Sequence, residues 1–289
     1  MNPKFLVSIL IAVALGLGVA LAGGQGAASL LGIPVFVFAA LLAFAINWIA
    51  FIPANAKQTE HFYDLTGSLT YVSVIVFALL FSAKLDARSV LAAIMVLVWA
   101  IRLGSFLVIR IRQDGKDDRF DEIKTNPSRF FVAWTIQGLW VILTAACALA
   151  IITTETTKPI GLLGALGLIL WIVGFILEVV ADAQKRAFRR NKDNAGKFIN
   201  TGLWAWSRHP NYFGEITLWI GMALLALPVL SGWQYLTIVS PVFVYLLLTK
   251  ISGIPMLRTK SDARWGEQAE YQAYIRNTSL LLPLPPKAN

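Results

Sequence analysis

The sequence predicts an all-α fold, a polytopic membrane helical bundle of seven to eight transmembrane helices with an amphipathic C-terminal tail. Three observations lead there. Hydrophobic side chains make up 57% of the 289 residues and charged ones only 14%, where a soluble globular domain carries about 25% charged residues. The apolar runs are continuous rather than alternating, and they reach the roughly 20 residues that a helix needs to cross a bilayer core. The basic residues are distributed unevenly among the connections, as a fixed membrane orientation demands. Disorder and an ordinary cytosolic domain are thereby excluded. The single cysteine, Cys147, lies inside an apolar run and the chain has two histidines, which leaves no disulfide framework and no histidine-rich metal site.

The eight spans fall at about 5–22, 32–52, 62–83, 89–109, 130–152, 160–182, 212–230 and 233–250, with Pro34, Pro53, Pro159 and Ser231-Gly232 as breakers. The first is an apolar stretch behind Lys4. Its Ala20-Leu21-Ala22 resembles a small-residue cleavage site, and cleavage there would leave seven spans; the weak charged region before it favours an uncleaved anchor. Two polar connections, 110–129 and 183–211, and the tail after Lys250 belong on one side together with Lys4 and Lys57. That side then holds every basic residue except Lys84, Arg88, Lys158 and the intraspan Arg102. Eight spans with both termini cytoplasmic fit this split. The net charge of +9 is accounted for by topology, so nucleic acid is not expected as a partner.

Ionisable groups inside spans are functional candidates because burying them in lipid is unfavourable. They are few: Arg102, Glu178, Asp182 and Glu215, with Glu60 and Asp64 at the head of the third span. The helical pattern of the sixth span continues through Gln184-Lys185-Arg186-Ala187-Phe188-Arg189-Arg190. Glu178, Asp182, Lys185, Arg186 and Arg189 fall within roughly a 100° arc of it. Such a face can hydrogen-bond an amide or ribose with its acids and pair phosphates with its arginines; it can equally be intrahelical ion pairing with a positive-inside flank. In the third span Glu60, Tyr63 or Asp64, Gly67 and Tyr71 repeat at helical spacing. A carboxyl in an apolar setting is expected to keep its proton near neutrality and, beside a phenol, to polarise a ligand carbonyl. A packing seam lined by Gly, Ser and Thr reads the same stripe without a ligand. The densest signal is Asn200-Thr201-Gly202-Leu203-Trp204-Ala205-Trp206-Ser207-Arg208-His209-Pro210-Asn211-Tyr212-Phe213-Gly214-Glu215. Pro210 suits a helix start, which puts Arg208, His209, Asn211 and Tyr212 at an anion-attracting N-terminal end. The tail, with Trp265, Tyr271 and Tyr274, is amphipathic and reads as an interfacial anchor or as a lid folded back over a cytosolic-side pocket. No glycine-rich dinucleotide fingerprint is present, and Gly161, Gly164 and Gly167 serve close helix packing.

At these residues the chain resembles the steroid 5-alpha-reductase family, and within it a bacterial membrane-protein branch. Four blocks carry the resemblance: Thr59 to Ser68; Arg102-Leu103-Gly104 with Asp118-Arg119-Phe120; Asp182 with Arg186 and Arg189; and Ser207 to Glu215, followed by Trp265-Gly266 and Tyr271 to Pro283. It covers about residues 55–285. Residues 1–53 are then N-terminal transmembrane segments and 54–289 a reductase-like membrane domain, with a cofactor-binding half at about 160–289. The resemblance implies an NADPH-dependent reductase of a carbon–carbon double bond conjugated to a ketone. It implies cofactor contacts at Asp182, Arg189, Asn211 and Glu215, joined by Arg119, Arg186, Arg208, His209, Tyr212, Tyr271 and Tyr274. It implies Glu60 as the acid that binds the substrate carbonyl. Glu178 stands where the family has an asparagine, Trp99 where the animal enzymes have the tyrosine that partners the acid, and Arg258 where an acid is expected. Tyr63 or Tyr71 is the candidate replacement for that tyrosine.

Three functions compete. The first is a reductase acting on a lipid or steroid-like enone. The second is an S-adenosylmethionine-dependent membrane methyltransferase of the isoprenylcysteine type. Arginines at 186, 189 and 208 weigh against it, because that methyl donor carries no phosphate. The third is a non-enzymatic transporter or scaffold, for which no internal repeat is evident. Beyond a lipid or steroid-like substrate and membrane lipids, no obligate protein partner is evident.

Overall fold

The computed structural model describes residues 3–286, the side chains at 110, 112–114 and 118 excepted. Asp118, one of the residues that carry the family resemblance, therefore has its side chain outside the described residues. Among the described residues, eight helical stretches are long and apolar enough to cross a membrane, the first Pro3–Gly23 and the last Gly232–Trp265. The expectation of an all-α membrane bundle holds. The chain divides into two compact units: Met1–Ala165 with Ala223–Ser240, and Leu166–Met222 with Pro241–Asn289.

The first unit contains α1 (Pro3–Gly23), α2 (Val35–Ala56), α3 (Tyr63–Phe81), α4 (Ala87–Asp114), α5 (Pro127–Thr144) and α6 (Ala146–Thr153). Helix α2 packs against α3 and α5, α3 against α4, and α1 against α5. Helices α1 and α2 thus share a core with α3, α5 and α6 of the same unit. Its centre is the α5–α6 span, where Ala145, Ala146, Cys147, Ala148 and Ala150 are fully buried. Small side chains let neighbouring backbones approach closely where lipid supplies no hydrophobic drive. The Ser240 hydroxyl donates to Thr144 O at 2.5 Å, and the Cys147 thiol donates to Thr237 O at 3.1 Å.

The second span starts at Val35 rather than at 32 because a two-stranded antiparallel ribbon, Ser29–Leu30 with Ile33–Pro34, precedes it. Leu31 and Gly32, both at positive φ, make its turn, the backbone that suits a two-residue hairpin. Helix α4 is capped by Asp86, whose carboxylate accepts from the Ser89 N–H and hydroxyl, and it stops at the left-handed Gly115. Asn126 caps α5 by accepting from Arg129 N, with Pro127 in the first turn. Between these ends lies the 115–126 loop, anchored by Phe120 in an aromatic cluster with Phe130 and Trp134. Arg88, expected in a short exterior connection, is instead buried, and its guanidinium donates to Leu225 O and Pro159 O.

In the second unit, α7 (Leu162–Arg190) continues past the hydrophobic stretch to Arg190, as its pattern predicts. It is followed by the short α8 (Leu203–Trp206) and by α9 (Pro210–Ala226), then by α10 (Val239–Leu246), a π-helical turn at Leu247–Ile251, α11 (Gly253–Trp265) and α12 (Ala269–Asn277). Helices α7 and α9 touch backbone to backbone. A Cβ on Gly214 would lie 2.6 Å from Gly174 O and 2.7 Å from Glu178 N, and one on Gly174 would lie 2.5 Å from Gly214 O. The same seam recurs at Gly221, against Gly167 O at 2.4 Å. No Cβ fits at such separations, so only glycine permits this crossing.

Candidate functional site

The glycine seam brings the polar end of α7 against the start of α9. There the Asn211 amide donates to Asp182 Oδ1 at 3.2 Å. Asp182 is buried, as is Glu178 one turn earlier. The segment before α9 folds back onto α7: the Trp204 indole donates to Ala181 O at 3.0 Å, and Gln184 Oε1 accepts from Leu203 N at 2.9 Å. Gly202 makes that turn at φ 59°, with no room for a Cβ over Gln184. Lys185 Nζ sits 4.5 Å above the Trp204 ring, a cation–π contact.

The tail closes over this end. Arg208 N donates to Ser279 O, the Ser207 hydroxyl to Leu281 O, Leu284 N to Trp206 O and the Tyr274 hydroxyl to Trp204 O. Phe198 lies at the centre of an aromatic group, 5.2 Å from Tyr271, 5.4 Å from Tyr274 and 5.9 Å from Trp265 between ring centroids. Of the two readings of the tail, the folded-back one describes α12 and residues 278–284.

Between these elements is a cavity of about 290 Å³. Seven cationic side chains line it (Lys185, Arg189, Lys197, Arg208, Arg258, Lys260 and Arg264), together with His209 and the aromatic group, and no carboxylate is among the described residues of its wall. Lys185, Phe188 and Arg189 share one face of α7 at helical spacing. Burial, then the charge of Arg258, pulls Arg208 below the usual arginine range. Burial, then Lys185 and Arg208, holds the His209 imidazole down at about 3. Its ring stacks on Tyr212 at 5.4 Å and 8°. Arg208 Nε, His209 Nδ1 and Asn211 Oδ1 are buried without a hydrogen-bond partner, and such atoms are costly unless something satisfies them. An anion with several acceptors and a flat ring fits this wall.

His209 should therefore stay neutral through the physiological range. Its imidazole NMR resonances are expected to be flat between about pH 5 and 8, where an unperturbed histidine titrates. A midpoint near the ordinary 6.5 would mean that the ring is solvated and the cavity wall open.

Five of the expected cofactor residues line this cavity: Arg189, Arg208, His209, Tyr271 and Tyr274. Asp182 and Asn211 pair with each other nearby in the chain's fold. Tyr212 backs His209, and half-buried Glu215 follows one turn on along α9, while Arg186, also half-buried, is on α7 but outside the cavity wall. Lys197, Phe198, Lys260 and Arg264 line the cavity as well. Lys260 and Arg264 belong to the amphipathic tail, whereas Lys197 and Phe198 lie in a connection with no local signal beyond charge and aromaticity.

The remaining candidates belong to the first unit. Glu60, its side chain 1% exposed, accepts from Lys124 Nζ at 2.8 Å and from Asp117 N at 3.1 Å. Burial by itself raises its pKa, but the Lys124 and Asp117 hydrogen bonds outweigh it and leave the carboxyl below the ordinary range. This corrects the expectation of a retained proton: the 115–126 loop, distant in sequence, delivers a cation and an N–H to the acid. Tyr63 donates its hydroxyl to Ala133 O at 2.9 Å, and its ring packs 4.7 Å from Phe120 and 5.0 Å from Trp134. Tyr71 is buried, edge-on to Trp99 at 5.1 Å. Arg119 is clamped by Asp117 and lies 4.0 Å from Asp64. Burial disfavours its charge, but the two carboxylates prevail and raise its pKa.

Fold and site together define a helical integral membrane protein with a polybasic, aromatic-walled cavity. The chain belongs to the family described as "Protein of unknown function (DUF1295)", which matches residues 50–278, and this family is steroid 5-alpha-reductase-like. It is 26% identical over 117 residues to 3-oxo-5-alpha-steroid 4-dehydrogenase 1 of Rattus norvegicus, covering 40% of each chain. It is 28% identical over 118 residues to the protein of that name from Macaca fascicularis, covering 41% of this chain and 40% of the relative. A shorter stretch of 61 residues is 39% identical to a probable O-methyltransferase of Ustilaginoidea virens, 21% of each chain. The chain thus spans about two fifths of the length of the reductase relatives it matches. No solved structure matches it.

Proposed function

We propose that the protein is an NADPH-dependent membrane reductase of a carbon–carbon double bond conjugated to a ketone, in a lipid or steroid-like substrate. The reading places it in the bacterial inner membrane with its cofactor site and C-terminus cytoplasmic. The observation that carries it is a cavity lined by seven cationic side chains, with no carboxylate among the described residues of its wall and three buried, unsatisfied polar atoms at or beside it. A 2′-phosphate adds about −1.5 to −2 charge, and arginine forks match phosphate oxygens in pairs. Arg189 and Arg208 hold phosphate in this reading, the Phe198 group stacks the base, and His209, neutral, hydrogen-bonds a ribose hydroxyl. Asp182 and Asn211 offer a carboxylate and an amide to the rest of the cofactor, with Arg186, Tyr212 and Glu215 around them. NADPH supplies the hydride. The Glu60 cluster orients and polarises the ketone, and the apolar spans exclude water from the reacting carbons. The reductase relatives support this substrate class; their names concern those proteins.

A ligand that binds the native state raises its apparent stability. Purified protein in detergent should be thermally stabilised by NADPH, less by NADH. Stabilisation by S-adenosylmethionine alone would overturn the assignment in favour of the methyltransferase reading.

A further inference from the structure

We propose that the ribbon joining the first two spans is a lipid-inserted element, its tip Leu31 seated among the head groups and upper acyl chains of the surrounding phospholipid leaflet. The inference concerns the first unit alone and is independent of the reductase reading. Between residues 5 and 56 the chain has no charged side chain, so the connection at 24–34 is as uncharged as the helices it joins. Its base is fixed to the bundle: Ala28 N donates to Thr153 O and Val35 N to Ala28 O. Its two strands pair with each other, and paired backbone is what an apolar medium requires. Leu31 stands at the turn with φ 54° and is 90% exposed. A left-handed turn position suits glycine or asparagine far better than a bulky side chain. In water a leucine there is unfavourable twice, in its backbone and in its exposed side chain. Lipid removes the second penalty. Ile33, on the other side of the turn, is exposed as well.

The other connections at this end of the unit identify lipid as the occupant. The connection at 227–238 is also free of charged residues. It is fastened to the same stretch of chain: Trp233 N donates to Gln25 Oε1 and the Gln234 amide to Gln25 O, each at 2.9 Å. Trp233, Tyr235 and Leu236 are exposed on it, and tryptophan and tyrosine favour the membrane–water boundary. The connections at 82–86 and 154–161 lie at the same end, where the Ser82 hydroxyl donates to Ile152 O and Thr154 bridges to Ala27. These two carry Lys84, Asp86, Glu155 and Lys158. Charge is thus confined to two connections, while the two tied together through Gln25 turn apolar and aromatic side chains outward. Contact with water accounts for the first pair and contact with lipid for the second, since apolar side chains opposite a leaflet bind it by the area they bury.

The test uses the full chain in phosphatidylcholine vesicles, with Leu31→Cys and Lys84→Cys each labelled by a thiol-reactive nitrobenzoxadiazole fluorophore. The native thiol, Cys147, is fully buried, so the wild-type protein should take up no label and serves as the control. Iodide, present on both faces of the vesicle, should quench the label at position 31 severalfold less than the label at position 84. A lipid carrying a nitroxide high on its acyl chain should show the opposite order. Equal iodide quenching at the two positions would place the ribbon in water and overturn the proposal. Protection of position 31 from both iodide and the nitroxide lipid would overturn it in favour of a protein contact, a second copy of this chain included.

Discussion

Gly214→Leu should leave the second unit unable to assemble, and Gly214→Ala should already lower its thermal midpoint by several degrees. The Cβ of even an alanine meets two backbone atoms, Gly174 O at 2.6 Å and Glu178 N at 2.7 Å. A flexible side chain can turn away from such a contact, but helix backbone cannot move without separating α7 from α9 along the whole seam. Overpacking a close contact is typically unfavourable by about 1–3 kcal/mol and occasionally more. In a protein of this size that corresponds to very roughly 2–10 °C in midpoint. The same displacement pulls Asn211 from Asp182, 3.2 Å apart across the crossing, so cofactor binding should weaken along with stability. Thermal unfolding of detergent-solubilised protein, followed by tryptophan fluorescence, reads the effect. An alanine variant within a degree of wild type would show that the two helices do not touch as described.

Arg189→Ala and Arg208→Ala should each reduce NADPH affinity by about 10- to 100-fold, the loss expected for a charged hydrogen bond worth roughly 1.5–3 kcal/mol. The two side chains reach the cavity from different elements, the end of α7 and the residue pair before α9. Arg208 has the stronger claim, because its Nε is buried without a partner. Removing it also removes a repulsion on His209, so the apoprotein should tolerate the change. If either arginine reads the 2′-phosphate, its removal should reduce NADPH affinity much more than NADH affinity. Titration calorimetry with both nucleotides distinguishes the cases. Unchanged NADPH affinity in both variants would remove the cavity from the cofactor site.

The membrane class and the eight spans were legible in the sequence, because each depends on neighbours a few residues away. Hydropathy over some twenty residues places a span, and the periodic charges past Asp182 carry α7 to Arg190; helix ends were less legible, since Pro53, expected as a breaker, lies inside α2. The 200–215 segment stands out in the sequence as a candidate site for the same reason, its polar residues being crowded at a helix start. The cavity wall was only half legible. Its cations come from α7, the 191–202 connection, the residue pair before α9 and α11, and nothing local distinguishes Lys197 or Arg264 from a solvated charge.

By itself, the sequence determined what kind of protein this is and which short segments carry unusual chemistry, since hydrophobicity, charge asymmetry and capping are properties of contiguous residues. The tertiary structure alone decided what several of those residues can do. Tyr63, legible as a candidate acid beside Glu60, became a post hydrogen-bonded to Ala133 O. Glu60, expected to be protonated because its surroundings are apolar, became an ion-paired acceptor because Lys124, 64 residues away, folds onto it. A proton's location depends on the charges and donors within a few ångströms, and those are set by how the chain folds rather than by the order of its residues.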